Sequence, residues 1–288
     1  MHFDDSLRQQ KIAILGLGLM GGSLALALHG KCAKLLGIDH DPQIVSQSLA
    51  QGVVDQASVS PNAILPQADV IILAVPVKAI VQIIPQLPVW IPEGALVMDL
   101  GSTKSQICKT LETLPEQFSA IGGHPMCGKE VSTLENAEAS LFQNSPFVLV
   151  QCANTYPTSQ TFAEQLVQAI GAKPVWLDAA THDLWVAFTS HSPYLVANAL
   201  ASSTLLDATP LASSGWRSTT RLAGSSLQMM HDILSTNTDH VLTAIDQFSE
   251  HLAQIRYLLA SQNLKELEVL LNNGRSNYLT ISKHGDAP

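Results

Sequence analysis

The stretch AIGGHPMCGKE, residues 120–130, sets His124 between glycines and a proline. An imidazole with its ordinary pKa of ~6.5 is mostly neutral near pH 7. It can therefore take a proton from an alcohol while a hydride leaves the same carbon. Pro125 restricts the backbone behind it, and Gly122, Gly123 and Gly128 would let a tight turn come close to a ligand. A second chemical element opens the chain. GLGLMG places Gly16, Gly18 and Gly21 in the spacing G-x-G-x-x-G around Leu19 and Met20, straight after an apolar run and at the start of a helical pattern. Such glycines allow a tight turn, close approach of a pyrophosphate and close helix-to-strand packing, and the helix N-terminus offers free N–H groups to the phosphates. A third element is a pair of cations. Between residues 174 and 255 the only lysines or arginines are Arg217 and Arg221, one helical turn apart. In a chain of net charge −9, an anionic ligand has few other places to be met.

The second apolar run, AKLLGID, ends at Asp39, the distance from the glycines at which an acidic residue meets a ribose. A carboxylate there accepts from a 2′-hydroxyl and repels a 2′-phosphate, and HDPQIV behind it holds no arginine. NAD is expected over NADP, with His40 softening the preference if protonated. A plainer reading is that Asp39 caps the helix ahead of Pro42.

These groups need a frame, and the first half of the chain supplies one. KIAILG, AKLLGID, DVIILAVP and ALVMDLGS are near-continuous apolar runs separated by helix-like segments, the pattern of a parallel sheet buried on both faces. SPFVLV and KPVWLD add later strands. In such sheets ligands bind outside the carboxyl ends of the strands. LAVP, with Val75 and Pro76, DLGSTK, with Ser102, and IGGHPM, with His124, all fall there, so Ser102 and His124 are expected beside the nicotinamide. After Asp178 helical signals take over. Val241, Ile245, Phe248, Leu252, Ile255 and Leu259 form the seam of a long amphipathic helix, suited to a core or to a dimer. A short helix, LKELEVLLNN, is expected to close at Gly274, with a frayed tail after Ser276. The expected division is a dinucleotide-binding α/β domain over 1–178 and a helical domain over 179–288.

The negative charge argues against nucleic acid and anionic membranes as partners, and no apolar run approaches the ~20 residues that span a bilayer. The polar, acidic N-terminus is unlike a signal peptide. Cys32, Cys108, Cys127 and Cys152 are scattered without metal-type spacing, so reduced thiols, a cytoplasmic setting and no metal are expected.

GLGLMGGSLA, DLGSTK, GGHPMCG, HDLWVAFTSHSPY and SSGWRSTTRLAG occur in an order that resembles the prephenate and arogenate dehydrogenases of tyrosine biosynthesis, over nearly the whole chain. The resemblance implies a Rossmann-type, mostly parallel sheet domain followed by an all-helical dimerisation domain, and a homodimer. It implies oxidative decarboxylation of prephenate to 4-hydroxyphenylpyruvate with NAD, or of arogenate to tyrosine. His124 would accept the proton of the ring C4 hydroxyl, with Ser102 bonded to that hydroxyl or to His124. Arg221 would hold a substrate carboxylate, with Arg217 near the cleft mouth, and His182, His191 and Ser190 would line the pocket. Nine residues on one ideal helix separate His182 from His191 and put them on opposite faces, so either Pro193 and the helix start alter the geometry or one of the two is structural. His191 is placed slightly ahead. The family commonly has Ser or Thr, then an acid, after GGHPMxG; here Lys129-Glu130 stand there. A Lys129 pointing into the pocket would favour prephenate over the ammonium-bearing arogenate, whereas one paired with Glu130 or facing water would not. A monofunctional enzyme is expected, lacking a chorismate mutase segment or regulatory module. The rivals are a β-hydroxyacid dehydrogenase, whose G-x-x-x-K-x-x-N helix is missing after residue 160, an NAD-sensing module without turnover, and a metal hydrolase using His124 and Cys127.

Overall fold

The computed structural model describes residues 6–129 and 133–285, and the chain divides into two compact units that meet between Asn237 and Thr238. The first unit is built on strands β1 (Lys11–Leu15), β2 (Lys34–Ile38), β3 (Gln56–Ser58), β4 (Val70–Leu73), β5 (Leu96–Asp99), β6 (Ser119–Pro125), β7 (Pro146–Gln151) and β8 (Lys173–Leu177). Between them run helices α1 (Leu19–Leu28), α2 (Pro42–Ala50), α3 (Pro61–Ile64), α4 (Val77–Ile83), α5 (Leu87–Trp90), α6 (Ser105–Leu111) and α7 (Pro157–Ala169). The sheet order is β3-β2-β1-β4-β5-β6-β7-β8. The strands from β3 to β6 pair in parallel, β7 is antiparallel to β6, and β8 is parallel to β7. Apolar runs such as Val70–Leu73 are buried on both faces, so one hydrophobic cluster lies on each side of the sheet. The expected mostly parallel Rossmann-type sheet is present. The strand order reverses between β1 and β4, which opens a crevice at their carboxyl ends.

Every apolar run read as a strand forms one, and β3 adds a three-residue strand too short to show a pattern. One local expectation is corrected. Gly122 to Pro125 are not a turn but the end of β6, because β7 pairs with them: Gly123 faces Leu149 and His124 faces Val148.

After β8 the unit is helical: α8 (Ala179–Val186), a π-helical stretch over Ala187–His191, α9 (Ser192–Ser203), α10 (Ser214–Thr220), a 3-10 turn over Arg221–Gly224, and α11 (Leu227–Thr236). Asp178 caps α8 by accepting from the Thr181 amide.

The second unit is a pair of helices, α12 (Thr238–Ala260) and α13 (Leu264–Gly285), packed together. The expectation that the last helix ends at Gly274 is corrected, since α13 runs on to Gly285. A glycine inside a helix costs only ~1 kcal/mol against alanine, and Tyr278 and Ile281 continue the apolar period beyond it. Val241, Ala244 and Leu258 of α12 are buried, but Phe248, Leu252 and Leu259, half of the sequence's seam, are exposed. No described helix is long and apolar enough to cross a membrane.

Candidate active site

The glycine turn sits where β1 runs into α1. Gly16 has φ +93°, a region that favours glycine, and a Cβ there would lie 2.5 Å from Ala74 O and 2.7 Å from a Val75 methyl. Gly18 is the N-cap of α1, and a Cβ on Gly21 would collide with Gly16 O. The Gly22 amide is the first to bond back, to Gly18 O, so the amides of Leu19, Met20 and Gly21 lack an intrahelical partner. Val75 and Pro76 follow β4 directly, with Val75 packed against the glycine turn. Asp39, buried at the end of β2, accepts from the Leu17 amide at 2.8 Å and the Asp41 amide at 3.0 Å, with His40 Nδ1 also at 3.0 Å. A carboxylate has about four acceptor positions, so these bonds leave room for a ribose hydroxyl. The helix-capping alternative for Asp39 is overturned. Asp41 is the N-cap of α2 and accepts from the Gln43 amide. The open helix start, the glycines and Asp39 fit a dinucleotide.

His124 lies across the crevice on β6, and its surroundings fix its chemistry. Its Nδ1 is 2.8 Å from His182 Nε2, and His182 Nδ1 is 2.8 Å from Asp183 Oδ1. Asp183 also accepts from the Lys104 amide at 2.7 Å and the Ser105 amide at 2.8 Å, satisfying the start of α6 from a distant helix. Burial acts to raise the Asp183 pKa, but the bonds from His182, Ser105 and Lys104 outweigh it and hold the carboxyl below its ordinary value. An ionised carboxylate only accepts. His182 must therefore carry a proton on Nδ1; in its neutral form its Nε2 accepts from His124 Nδ1–H, and His124 Nε2 is left with a lone pair. Burial, then the fields of His182, Lys104 and His191, push the His124 pKa well below 6.5. The result is a neutral imidazole aimed as a base.

The segment before His124 is braced by a buried ion pair. Lys104 Nζ contacts Asp99 Oδ2 and donates to Gly123 O at 2.6 Å, while Asp99 Oδ1 accepts from the Gly123 amide at 3.1 Å. Both side chains are fully buried. Breaking one half of such a pair typically costs ~3–5 kcal/mol, because it strands a charge. Gly123 is required for this contact, since its Cβ would fall 2.4 Å from Asp99 O. Gly122 and Gly123 thus admit protein atoms, not a ligand, since a Cβ on Gly122 would meet Cys108 Sγ at 2.8 Å, whereas Gly128 has open space around it.

His182 and His191 share one side despite their spacing. The π-helical stretch Ala187–His191 bonds i to i+5 and inserts an extra residue between α8 and α9, which rotates the second histidine round. Pro193, which lacks an N–H, lies in the first turn of α9 beyond it. Both rings are buried, and Asn237 links them by donating to Asp183 O at 2.7 Å with its Nδ2 3.2 Å from His191 Nδ1. Burial, opposed by Asp183 and aided by His182, lowers the His191 pKa to about 4.

Other expected residues fall elsewhere. Ser102 is half-buried in the β5–α6 loop and, among the described residues, makes no bond to His124, whose Nδ1 is taken by His182. Ser190 is exposed on the π-helical stretch. Arg217 on α10 and Arg221 on the following turn are exposed, and that turn packs on α9, the helix that begins after His191. Lys129 departs from the expectation of a pocket charge: its Nζ is 3.0 Å from Glu138 Oε2 and donates to Asn136 O at 3.2 Å. Its alternative partner Glu130 lies outside the described residues. All four cysteines are free, and among the described residues no cluster of His, Cys, Asp or Glu could hold a metal. Asp183, Asn237, Asp99 and Lys104 carry no sequence signal of their own, although Asp183 lies inside HDLW and Asp99 and Lys104 inside DLGSTK.

A parallel sheet with a dinucleotide turn, facing a neutral histidine across the strand-end crevice and followed by helices, defines a nicotinamide-dependent dehydrogenase. Residues 24–176 match the family model described as prephenate dehydrogenase, nucleotide-binding domain, and residues 178–273 match its dimerization domain. The chain belongs to the prephenate dehydrogenase family. It is 31% identical over 289 residues to a prephenate dehydrogenase of Lactococcus lactis, covering 96% of this chain and 79% of that one. It is similar in structure to the prephenate dehydrogenase of Aquifex aeolicus in complex with hydroxyphenyl propionate and NAD+, at 27% identity and a TM-score of 0.87, over 96% of this chain and 99% of that one. A Synechocystis arogenate dehydrogenase matches at 30% identity and a TM-score of 0.79, over 93% and 99%. The chain is accordingly an oxidoreductase with NAD as its cofactor.

Proposed function

We propose that the chain oxidises prephenate with NAD and releases CO2, giving 4-hydroxyphenylpyruvate. The observation that carries this is the His124–His182–Asp183 chain, which leaves a basic Nε2 beside the strand-end crevice. NAD, when bound, supplies the hydride acceptor for the ring C4 hydrogen. The Leu19, Met20 and Gly21 amides would meet its pyrophosphate and Asp39 its ribose. His124 Nε2 takes the proton of the C4 hydroxyl as the carbonyl forms. The imidazolium is stabilised through His182 by the Asp183 carboxylate. The bond to the ring carboxylate breaks and CO2 leaves, its electron pair makes the ring aromatic and passes to the C4 oxygen, and that oxygen takes back the proton from the His124 imidazolium. In this reading Arg221 holds a substrate carboxylate, a task that suits a bidentate guanidinium. Arg217, Ser190, His191 and Ser102 complete the pocket. Residues 1–178 bind the cofactor, and residues 179–288 bind substrate and form a homodimer, for which the exposed Phe248, Leu252 and Leu259 offer the surface. NADH absorbance with prephenate or arogenate, each with NAD or NADP, tests the reading. Fast formation of NADH from prephenate supports it, and turnover of arogenate alone, or of NADP alone, contradicts it.

A further inference from the structure

The two histidines of the helical segment are held in different ways. Asn237 closes α11 with its side chain buried, 46 residues beyond His191 and 54 beyond Asp183. Its amide orientation is settled by chemistry. The Asp183 backbone carbonyl can only accept, so the NH2 group, not the oxygen, must face it. That same NH2 lies 3.2 Å from His191 Nδ1, and a donor facing a ring nitrogen requires a lone pair on it. His191, neutral at physiological pH, must then carry its proton on Nε2. That atom is buried and has no hydrogen-bond partner among the described residues. An unmatched buried N–H is disfavoured, and in a native site it points to a missing acceptor. His191 is also near enough to His124 for its charge to bear on the base.

We infer that Asn237 is a positioning residue that fixes His191 as the Nε2–H tautomer, and that this N–H donates to an oxygen of the bound substrate. The two imidazoles then have opposite duties set from outside the pocket. Asp183, through His182, gives His124 an accepting Nε2, and Asn237 gives His191 a donating one. Because Asn237 bonds the Asp183 carbonyl as well, one amide ties α8 to His191 at the far end of the π-helical stretch. The inference rests on the reading of this crevice as the substrate site.

Ring-15N spectra of the full chain, recorded without substrate, report the tautomer directly. The wild type is expected to show His191 protonated on Nε2 and unprotonated on Nδ1, and protonation on Nδ1 overturns the inference. In kinetics Asn237→Ala is expected to raise KM for prephenate about tenfold, as for the loss of one hydrogen bond, with kcat within about threefold and the Kd for NAD unchanged. A lowered melting temperature with KM unchanged would mean a merely structural role and overturns it. Should Asn237→Ala fail to fold, two substitutions at His191 decide. His191→Gln places an amide N–H near the position of Nε2 and is expected to keep KM within about threefold, whereas His191→Leu raises it about tenfold. Equal losses in the two overturn the donor role. A wild type that forms no NADH from prephenate sinks the functional reading instead, and the ring spectra still decide the tautomer.

Discussion

Replacing Asp183 by asparagine removes one charge and little volume, and its consequence can be followed bond by bond. The carboxylate accepts three N–H groups, from Lys104 at 2.7 Å and from Ser105 and His182 at 2.8 Å each. An amide offers one oxygen. If that oxygen serves His182 and Lys104, the new NH2 confronts the Ser105 amide and leaves it unpaired, at a cost of ~1–3 kcal/mol. If the amide turns to serve Ser105, its NH2 faces His182 Nδ1, which must then accept. His182 Nε2 becomes a donor, His124 Nδ1 becomes an acceptor, and the His124 proton moves to Nε2, where the base was. The first orientation also removes the negative charge that stabilises an imidazolium at His124. The second orientation abolishes general-base catalysis and the first weakens it, and such catalysis typically contributes ~10²–10⁴-fold. Asp183→Asn is therefore expected to lower kcat by about that factor, or ~3–5 kcal/mol of barrier, and to lower the melting temperature. The Kd for NAD should stay within about twofold, because the glycine turn and Asp39 are untouched. Steady-state NADH formation on the pH plateau, with NAD binding measured separately, reads both. A folded Asp183→Asn protein with kcat within threefold of wild type refutes the relay.

Other consequences are sharper in direction than in size. His191, with its pKa lowered to about 4, stays neutral in the folded protein while the unfolded chain takes up a proton below ~6.5. Its share of stability, at most ~3 kcal/mol at ~1.4 per pKa unit, is full above pH 6.5 and is lost as pH falls towards 4. The lowered pKa of His124 acts in the same direction, so urea unfolding should show a steep acid loss that is shallower in His191→Leu; an unchanged slope contradicts the assignment. Arg221→Ala is expected to raise KM for prephenate by tenfold or more, with a smaller effect on kcat, in the same NADH assay. A charge placed on the exposed α12 stripe, Leu252→Glu, should turn the proposed dimer into a monomer in sedimentation, and a persisting dimer would move the interface elsewhere.

The sheet was legible because buried parallel strands are apolar throughout, as in Val70–Leu73, and because glycines at fixed spacing permit few turns. What stayed hidden was long-range. Nothing local to Gly122 to Pro125 announces antiparallel partners 22 to 28 residues away, so the strand end reads as a turn. The facing of His182 and His191 depends on a π-helical insertion that ideal periodicity cannot express. Asp183, Lys104 and Asn237 act through contacts 46 to 79 residues apart, where spacing carries no signal. Lys129 shows the reverse: it departs from the family pattern in the sequence, yet the structure pairs it with Glu138.

The central claim, that His124 is the base for prephenate oxidation, is tested most directly by His124→Asn assayed for NADH formation with prephenate and NAD at saturation. The expected result is a fall in kcat of about 10²–10⁴, with KM changed only a few-fold. Turnover close to that of wild type would contradict it.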